Sequence, residues 1–242
     1  MVIDNEGMTK VRKVLRSTRV QGSDERMTEK FHLQLEELKK DVVAMGGLAK
    51  DMLKKSVEAL KDRDIEKAQW VVAKKHDIAK FDADIEMKAL QLLTLYQPMA
   101  SDLRTIACVL KLITYLNRVG RYGKDIAQVA IELANKPHIT KLVSIPYMAE
   151  LANGMIDDAL KAFEQCKDLS LKEFKERDSA VDSLRFSIFR ESLTYMMEDA
   201  KTIPQAANYM MVSRYLERCA DHAVKMAEKI HYMATGEHVE VN

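Results

Sequence analysis

The sequence predicts an all-α protein made of two similar, antiparallel three-helix bundles in tandem. Helix breakers are scarce, with eight Gly and four Pro among 242 residues, and average usage would give about twice as many Gly and about three times as many Pro. Apolar residues recur at helical spacing along most of the chain. The segment "YLNRVGRYGKDIA" (115–127) also recurs as "YLERCADHAVKMA" (215–227), so the second half repeats the first.

The first half is expected to hold three helices. Apolar residues at steps of three, four and seven mark an amphipathic first helix of about 35 residues: Phe31, Leu35, Leu38, Val42, Met45 and Met52. A charged turn at 61–64 leads to a second helix, which ends before the turn "YQPMASD". In that turn Ser101 is expected to cap the third helix by accepting a backbone N–H. Pro137 ends the third helix.

The second half is expected to hold three more helices. The fourth covers about 145–166 and the fifth about 171–199. Thr202 and Gln205 have the spacing of a capping box, which predicts the start of a last helix that extends to about Met233. Long helices with short links pack as antiparallel neighbours, so this half is expected to form a second bundle like the first.

The chain divides into a basic N-terminal arm over residues 1–23, a first bundle over 24–138 and a second bundle over 139–236. Residues 1–22 carry five Lys or Arg against two acidic residues, a net charge of +3, whereas the whole chain has only +1. Such an arm can contact a phosphate backbone or an anionic membrane; the alternative is a solvated, partly disordered tail. Because the net charge of the whole chain is nearly neutral, direct binding of nucleic acid is not expected.

Composition also limits the location and the chemistry of the protein. The three cysteines, Cys108, Cys166 and Cys219, lack CxxC spacing and are expected to be reduced thiols of a cytoplasmic protein. No apolar run approaches the length of a membrane span, and the N-terminus lacks the apolar region of a signal peptide. A Gly-rich phosphate loop is missing too, so nucleotide hydrolysis is not expected.

Four carboxylates on the last two helices are candidate metal ligands. Glu217 and Asp221 are one turn apart, on a face nearly opposite to the predicted buried face of the last helix. Asp178 and Asp182 have the same spacing on the preceding helix. With a turn near residue 200, Asp182 lies eighteen residues before the turn. Glu217 and Asp221 lie seventeen and twenty-one residues after it. These positions sit at about the same height in an antiparallel hairpin.

Clustered carboxylates raise one another's pKa unless a cation lies between them. Their oxygens suit hard or borderline cations, namely Mg²⁺, Mn²⁺, Ca²⁺, iron or Zn²⁺. The alternative is a solvated acidic face that pairs with nearby Lys and Arg. In the first half, the positions taken as equivalent are Lys75 and Ala79, with Asn117 and Arg121 on the next helix. None is a carboxylate, so a metal is expected at the second repeat only.

Several stretches of the chain resemble a known family. They are "FHLQLEELKKDVVAMGGLAKDML", "LLTLYQPMASDLRTIACVLK", "DSAVDSLRFSIFRESLTYMMEDAKTIPQA" and "RYLERCADHAVKMAEKI". Over about residues 27–237 the chain resembles the PhoU family, which regulates phosphate uptake and phosphate-starvation signalling. The resemblance implies tandem three-helix bundles and a regulator rather than an enzyme.

The family resemblance also bears on the acidic residues. Each repeat of the family carries an E(D)xxxD signature, which ligates a surface cluster of iron or zinc in metal-bound members. The second signature is intact at Glu217 and Asp221, and the acidic pair of the preceding helix matches as well. Lys225 stands where the family often has Asn or Asp, and it is expected to pair with Asp221 and weaken the site. The first signature is degenerate at Asn117 and Arg121.

The resemblance implies contacts with the ATPase subunit of the phosphate ABC transporter and, in many bacteria, with a membrane sensor kinase. A homodimer is expected, and membrane contact only through these partners. One alternative is a di-iron bundle, because Glu29–His32 and Glu228–His231 are ExxH strings. Helical phase argues against it, since His32 flanks its apolar stripe and Glu228 is expected to face away from the core. A second alternative is a regulator that docks nucleic acid through the arm.

Overall fold

The structure is a computed structural model that describes the backbone of residues 5–241 and the side chains of residues 27–241. This described part is helical and contains no strand, as the sequence predicts. The helices are α1 Asn5–Asp62, α2 Ile65–Ala73, α3 Lys75–Tyr96, α4 Ala100–Leu133, α5 Ser144–Glu164, α6 Leu171–Glu198 and α7 Ile203–Thr235. Side chains 1–26 lie outside the described part, so the proposed role of the basic arm stays a prediction.

The first bundle consists of α1, α4 and the pair α2–α3, which pack on one another. The predicted second helix is divided at Lys74, whose N–H reaches the carbonyls of both Trp70 and Val71. Asp64 begins α2, because its carboxylate accepts the N–H of Lys67 at 2.9 Å. Both α2 and α3 pack on α1 and α4, so together they take the place of one helix of a three-helix bundle.

The second bundle consists of α5, α6 and α7, and it joins the first through α4 against α7 and α1 against α5. Apolar residues of both bundles form one continuous core. Gly123 of α4 lets α1 approach closely, because an added Cβ would lie 3.0 Å from the carbonyl carbon of Met52. The two repeats therefore face each other across α4 and α7, the helices that carry the repeated segment.

Neither of the two predicted caps makes the expected side-chain hydrogen bond, although Thr202 is the N-cap residue of α7. The N-cap of α4 is Met99 rather than Ser101, and no side chain caps that end. Thr202 precedes α7, but its backbone is already helical after the 3-10 turn Ala200–Thr202, so its hydroxyl donates to carbonyls of the preceding turn instead. Gln205 donates to the carbonyl of Pro137 at 3.2 Å and so ties α7 to the link between the bundles. No helix of the described residues is long and apolar enough to span a membrane.

Candidate functional site

The hairpin of α6 and α7 brings the four predicted carboxylates together; we call Asp178, Asp182, Glu217 and Asp221 the acidic cluster. Partial burial, and then the charges of the other three carboxylates, raise the pKa of Asp178 to about 6. Partial burial and the charges of Glu217 and Asp182 also raise the pKa of Asp221. The four carboxylates are therefore near enough to influence one another's pKa, while their role as metal ligands stays a prediction.

The buried faces of the two helices hold the acidic cluster in place. Leu216, Cys219 and Ala220 of α7 are fully buried beside its two acids. Val181 of α6 is fully buried beside Asp182. Because residues next to the core are fixed by packing, the acids have little freedom to move apart. Mutual repulsion is therefore retained in the folded protein and is expressed as the raised pKa values.

Two arginines that sequence reasoning missed lie at the edge of the acidic cluster. The Nε atom of Arg185 lies 3.4 Å from Oε1 of Glu217, and a guanidinium nitrogen of Arg214 lies 3.7 Å from the same oxygen. Arg214 could have been found in the sequence, since it precedes Glu217 by three residues on one helix. Arg185 comes from the other helix, so only the hairpin register places it there. These contacts agree in part with the alternative of an acidic face paired with cations.

One carboxylate oxygen of Glu217 has no hydrogen-bond partner among the described residues, although its other oxygen faces the two arginines. The side chain is only 14% exposed, and the partnerless oxygen, Oε2, is buried. A buried acceptor without a partner is costly, and a bound cation would remove that cost. The chemistry of the donors therefore fits a hard cation. Across residues 27–241, however, no group of three or more His, Cys, Asp or Glu side chains is arranged to hold a metal ion.

Lys225 does not neutralise the acidic cluster, which corrects the predicted pairing with Asp221. Its ammonium group binds Glu228 at 2.8 Å. Glu228 is also not turned toward solvent as the helical phase predicted, since it is 3% exposed. The C-terminal segment covers it, and the N–H of Val241 donates to its Oε1 atom at 3.0 Å. Asp221 is therefore left with two arginines as its nearest favourable charges, Arg218 and Arg214.

The ExxH strings of the di-iron alternative do not form a common site. Glu228 is occupied by Lys225 and Val241, as above, and the Nδ1 atom of His231 lies 2.7 Å from Asp168. Glu29 and His32 are exposed on α1. Among the described residues, the two motifs therefore do not share a site, even though Glu228 is buried.

The first repeat has a pocket at the corresponding place, between α3 and α4, with a volume of about 410 Å³. We call it the first-repeat pocket; it is lined by Asp82, Thr114, Asn117, Arg118, Arg121, Tyr122 and Asp125. The side chain opposite Asn117 is Asp82, whose carboxylate accepts its amide N–H at 2.6 Å. Asp82 thus corresponds to Arg185, which faces Glu217 in the second repeat, and this register agrees with the expected equivalents Lys75 and Ala79. One carboxylate of α3 is present, although Arg121 still replaces the second acid of the signature.

Aromatic rings lie in the contact between α4 and α7. Tyr122 stacks with Tyr215 at 5.7 Å and with His222 at 6.0 Å, and His222 stacks with Tyr115 at 5.6 Å. Burial and then the positive charge of Arg118 lower the pKa of His222 to about 4. His222 therefore lies in the interface between α4 and α7, and Cys219 of α7 is fully buried.

Comparisons with known proteins cover both repeats. A family model described as the PhoU domain matches residues 42–130 and 145–230, one match in each bundle. The phosphate-specific transport system accessory protein PhoU homolog of Aquifex aeolicus is 36% identical over 211 residues, which are 87% of this chain and 96% of that protein. The homolog of Clostridium acetobutylicum is 34% identical over 218 residues, 89% of this chain and 100% of that one. The crystal structure of PhoU from Pseudomonas aeruginosa has a TM-score of 0.81 at 31% identity and covers 86% of this chain and 100% of its own.

Proposed function

The chain belongs to the PhoU family, and from this premise we propose that it works by docking onto other proteins rather than by catalysis. It is a regulator of phosphate uptake and phosphate-starvation signalling. The observation that carries this conclusion is the extent of the match to the relatives. They are named as accessory proteins of phosphate-specific transport, and this chain matches them over nearly their whole length. The same findings give no support to a di-iron enzyme or to a regulator that binds nucleic acid.

The contacts proposed for this chain are those that a transport accessory protein requires. We propose that it binds the ATPase subunit of the phosphate ABC transporter, and that a membrane sensor kinase is a second partner. It would act in the cytoplasm as a homodimer and reach the membrane only through these partners. Binding to the ATPase subunit would restrain uptake when phosphate is plentiful.

A pull-down tests the transporter contact directly. Immobilised full-length chain should retain the purified ATPase subunit, while an unrelated ABC transporter ATPase of similar size should wash through. A low level of retention that is equal for both ATPases would contradict the proposal. The same experiment with a soluble portion of the sensor kinase decides whether that protein is a second partner.

We further propose that the acidic cluster binds one divalent or ferric cation, drawn from iron, Zn²⁺, Mg²⁺, Mn²⁺ and Ca²⁺, and that the first repeat binds none. Two features support this: the partnerless Oε2 atom of Glu217 and the raised pKa of Asp178. A third is that Lys225 is engaged by Glu228 and does not compete. The cation would neutralise the repulsion among the four carboxylates, and small side-chain movements on α6 and α7 would complete its ligand set.

Measuring the metal content of the purified protein tests this proposal. Chain loaded with Zn²⁺ or iron and then desalted should hold about one ion per chain, and Asp221→Ala should hold almost none. Asp51→Ala is the matched control, because Asp51 is an exposed acid of α1 away from the acidic cluster. If Asp221→Ala retains as much metal as the wild-type chain, these residues are not the ligands.

A further inference from the structure

The first-repeat pocket contains two arginines, Arg118 and Arg121. Its two acids already have partners: Asp82 accepts from Asn117 at 2.6 Å, and Asp125 pairs with Lys124 at 2.9 Å. The guanidinium groups of Arg118 and Arg121 make no hydrogen bond or ion pair with any residue from 27 to 241. The unpaired donors that line this pocket therefore belong to the two arginines, whereas Asp82 keeps its charge because its partner is a neutral amide.

The two arginines are placed to act on the same ligand. They are three residues apart on α4, which brings their Cβ atoms to within about 5–6 Å on one helix face. Both are exposed and line the same concavity of about 410 Å³. Guanidinium groups bind carboxylate and phosphate oxygens through paired N–H donors, and two of them can share one anionic group or bind adjacent ones.

We propose that the first-repeat pocket is the docking site for an acidic segment of a partner protein, whose Asp or Glu carboxylates bind Arg118 and Arg121. This inference rests on the proposed function and names the surface through which docking occurs. Within this chain it is specific to the first repeat, since Arg121 stands where the second repeat has Asp221.

A protein segment suits the pocket better than a small free anion does. Both arginines are exposed, and an isolated ion pair in water contributes only about 0–1 kcal/mol. A docked segment excludes water from the pair and strengthens it. Inorganic phosphate is smaller than a peptide segment and would exclude less water from the two arginines.

The opposite charges of the two repeats would also orient the partner. The position that is Arg121 in the first repeat is Asp221 in the second, and both flank the shared α4–α7 contact. An acidic segment is attracted to the first-repeat pocket and repelled by the acidic cluster whenever no cation neutralises it. The fold has pseudo-twofold symmetry, but its docking surface does not.

A labelled peptide tests the chemistry of the pocket without knowledge of the partner. Fluorescence anisotropy would measure the binding of a six-residue glutamate peptide to the full chain at low salt. The Arg118→Gln, Arg121→Gln double variant should weaken binding by at least about tenfold, because two charge-assisted contacts are lost. Arg190→Gln is the matched control, an exposed arginine of α6, and should bind as the wild-type chain does. Exposed Arg→Gln changes seldom affect folding.

The pull-down with the ATPase subunit provides the second measurement. Retention of the wild-type chain with loss for the double variant supports the proposal. Equal retention of both, or equal peptide binding by both, overturns it. Arg-dependent binding of inorganic phosphate, with peptide binding unchanged in the double variant, would assign the pocket to a free anion and also overturn it. If the wild-type chain itself is not retained, the proposed function fails, while the peptide measurement still decides the pocket.

Discussion

Removing one charge from the acidic cluster should stabilise the metal-free protein. Asp178 is surrounded by three other carboxylates, and partial burial with their charges raises its pKa from 3.8 to about 6. Asp178→Asn keeps the shape of the side chain and removes the charge. Because ionised Asp178 is disfavoured only in the folded state, the variant should unfold at higher denaturant concentration than the wild-type chain near neutral pH.

The size and sign of the effect follow from the pKa difference between the folded and unfolded states. A raised acid pKa means that the folded state holds its proton more tightly, so stability falls as pH rises from about 4 to about 6. Each pKa unit corresponds to about 1.4 kcal/mol, which gives an upper limit near 3 kcal/mol. Solvent screening of a half-buried carboxylate reduces this, and we expect Asp178→Asn to gain about 1–2 kcal/mol at pH 7.5.

Urea denaturation followed by circular dichroism, with chelator present, measures this difference at pH 7.5 and at pH 4. At pH 4 the gain should be small, because the folded wild-type protein already carries the proton on Asp178. The exposed acid Asp51 provides the control, since Asp51→Asn should change stability by less than about 0.5 kcal/mol at either pH. A loss of stability in Asp178→Asn at pH 7.5, or an equal gain at both pH values, would refute the reasoning.

Two further predictions concern the α1–α4 and α4–α7 contacts. Gly123→Val should cost about 1–3 kcal/mol in urea denaturation, because its Cβ would press on the backbone of Met52. Gly47→Ala, with nothing within 4 Å, should instead stabilise by about 0.5–1 kcal/mol, and equal effects would contradict the close approach. Burial and Arg118 lower the pKa of His222, so the folded state resists its protonation and stability should fall as pH drops from about 6.5 to about 4. His222→Phe should flatten this part of the pH profile, and an unchanged profile would assign the acid sensitivity to other groups.

The acidic cluster could be predicted from the sequence because helical periodicity fixes most of its geometry. The i,i+4 spacing sets each pair on one face, and the short turn between α6 and α7 sets their height. The same count holds in the first repeat, where Asp82 faces Asn117 as Arg185 faces Glu217. Sequence reasoning missed these two facing residues because it followed only the positions of the four carboxylates and not the other side chains one turn further along the same helix face.

The sequence by itself determined the helices, the duplicated plan and the family, because these depend on local periodicity and on residue patterns that survive without coordinates. Only the tertiary structure decided which charged side chains pair, since a long charged side chain can reach neighbours on several helices. Lys225 turned to Glu228 rather than Asp221, and Arg185 reached Glu217 across the hairpin. Packing therefore gave the repeated helix two different surroundings. Among residues 27–241, Oε2 of Glu217 in the second repeat is buried without a hydrogen-bond partner, and Arg118 and Arg121 in the first repeat make no ion pair.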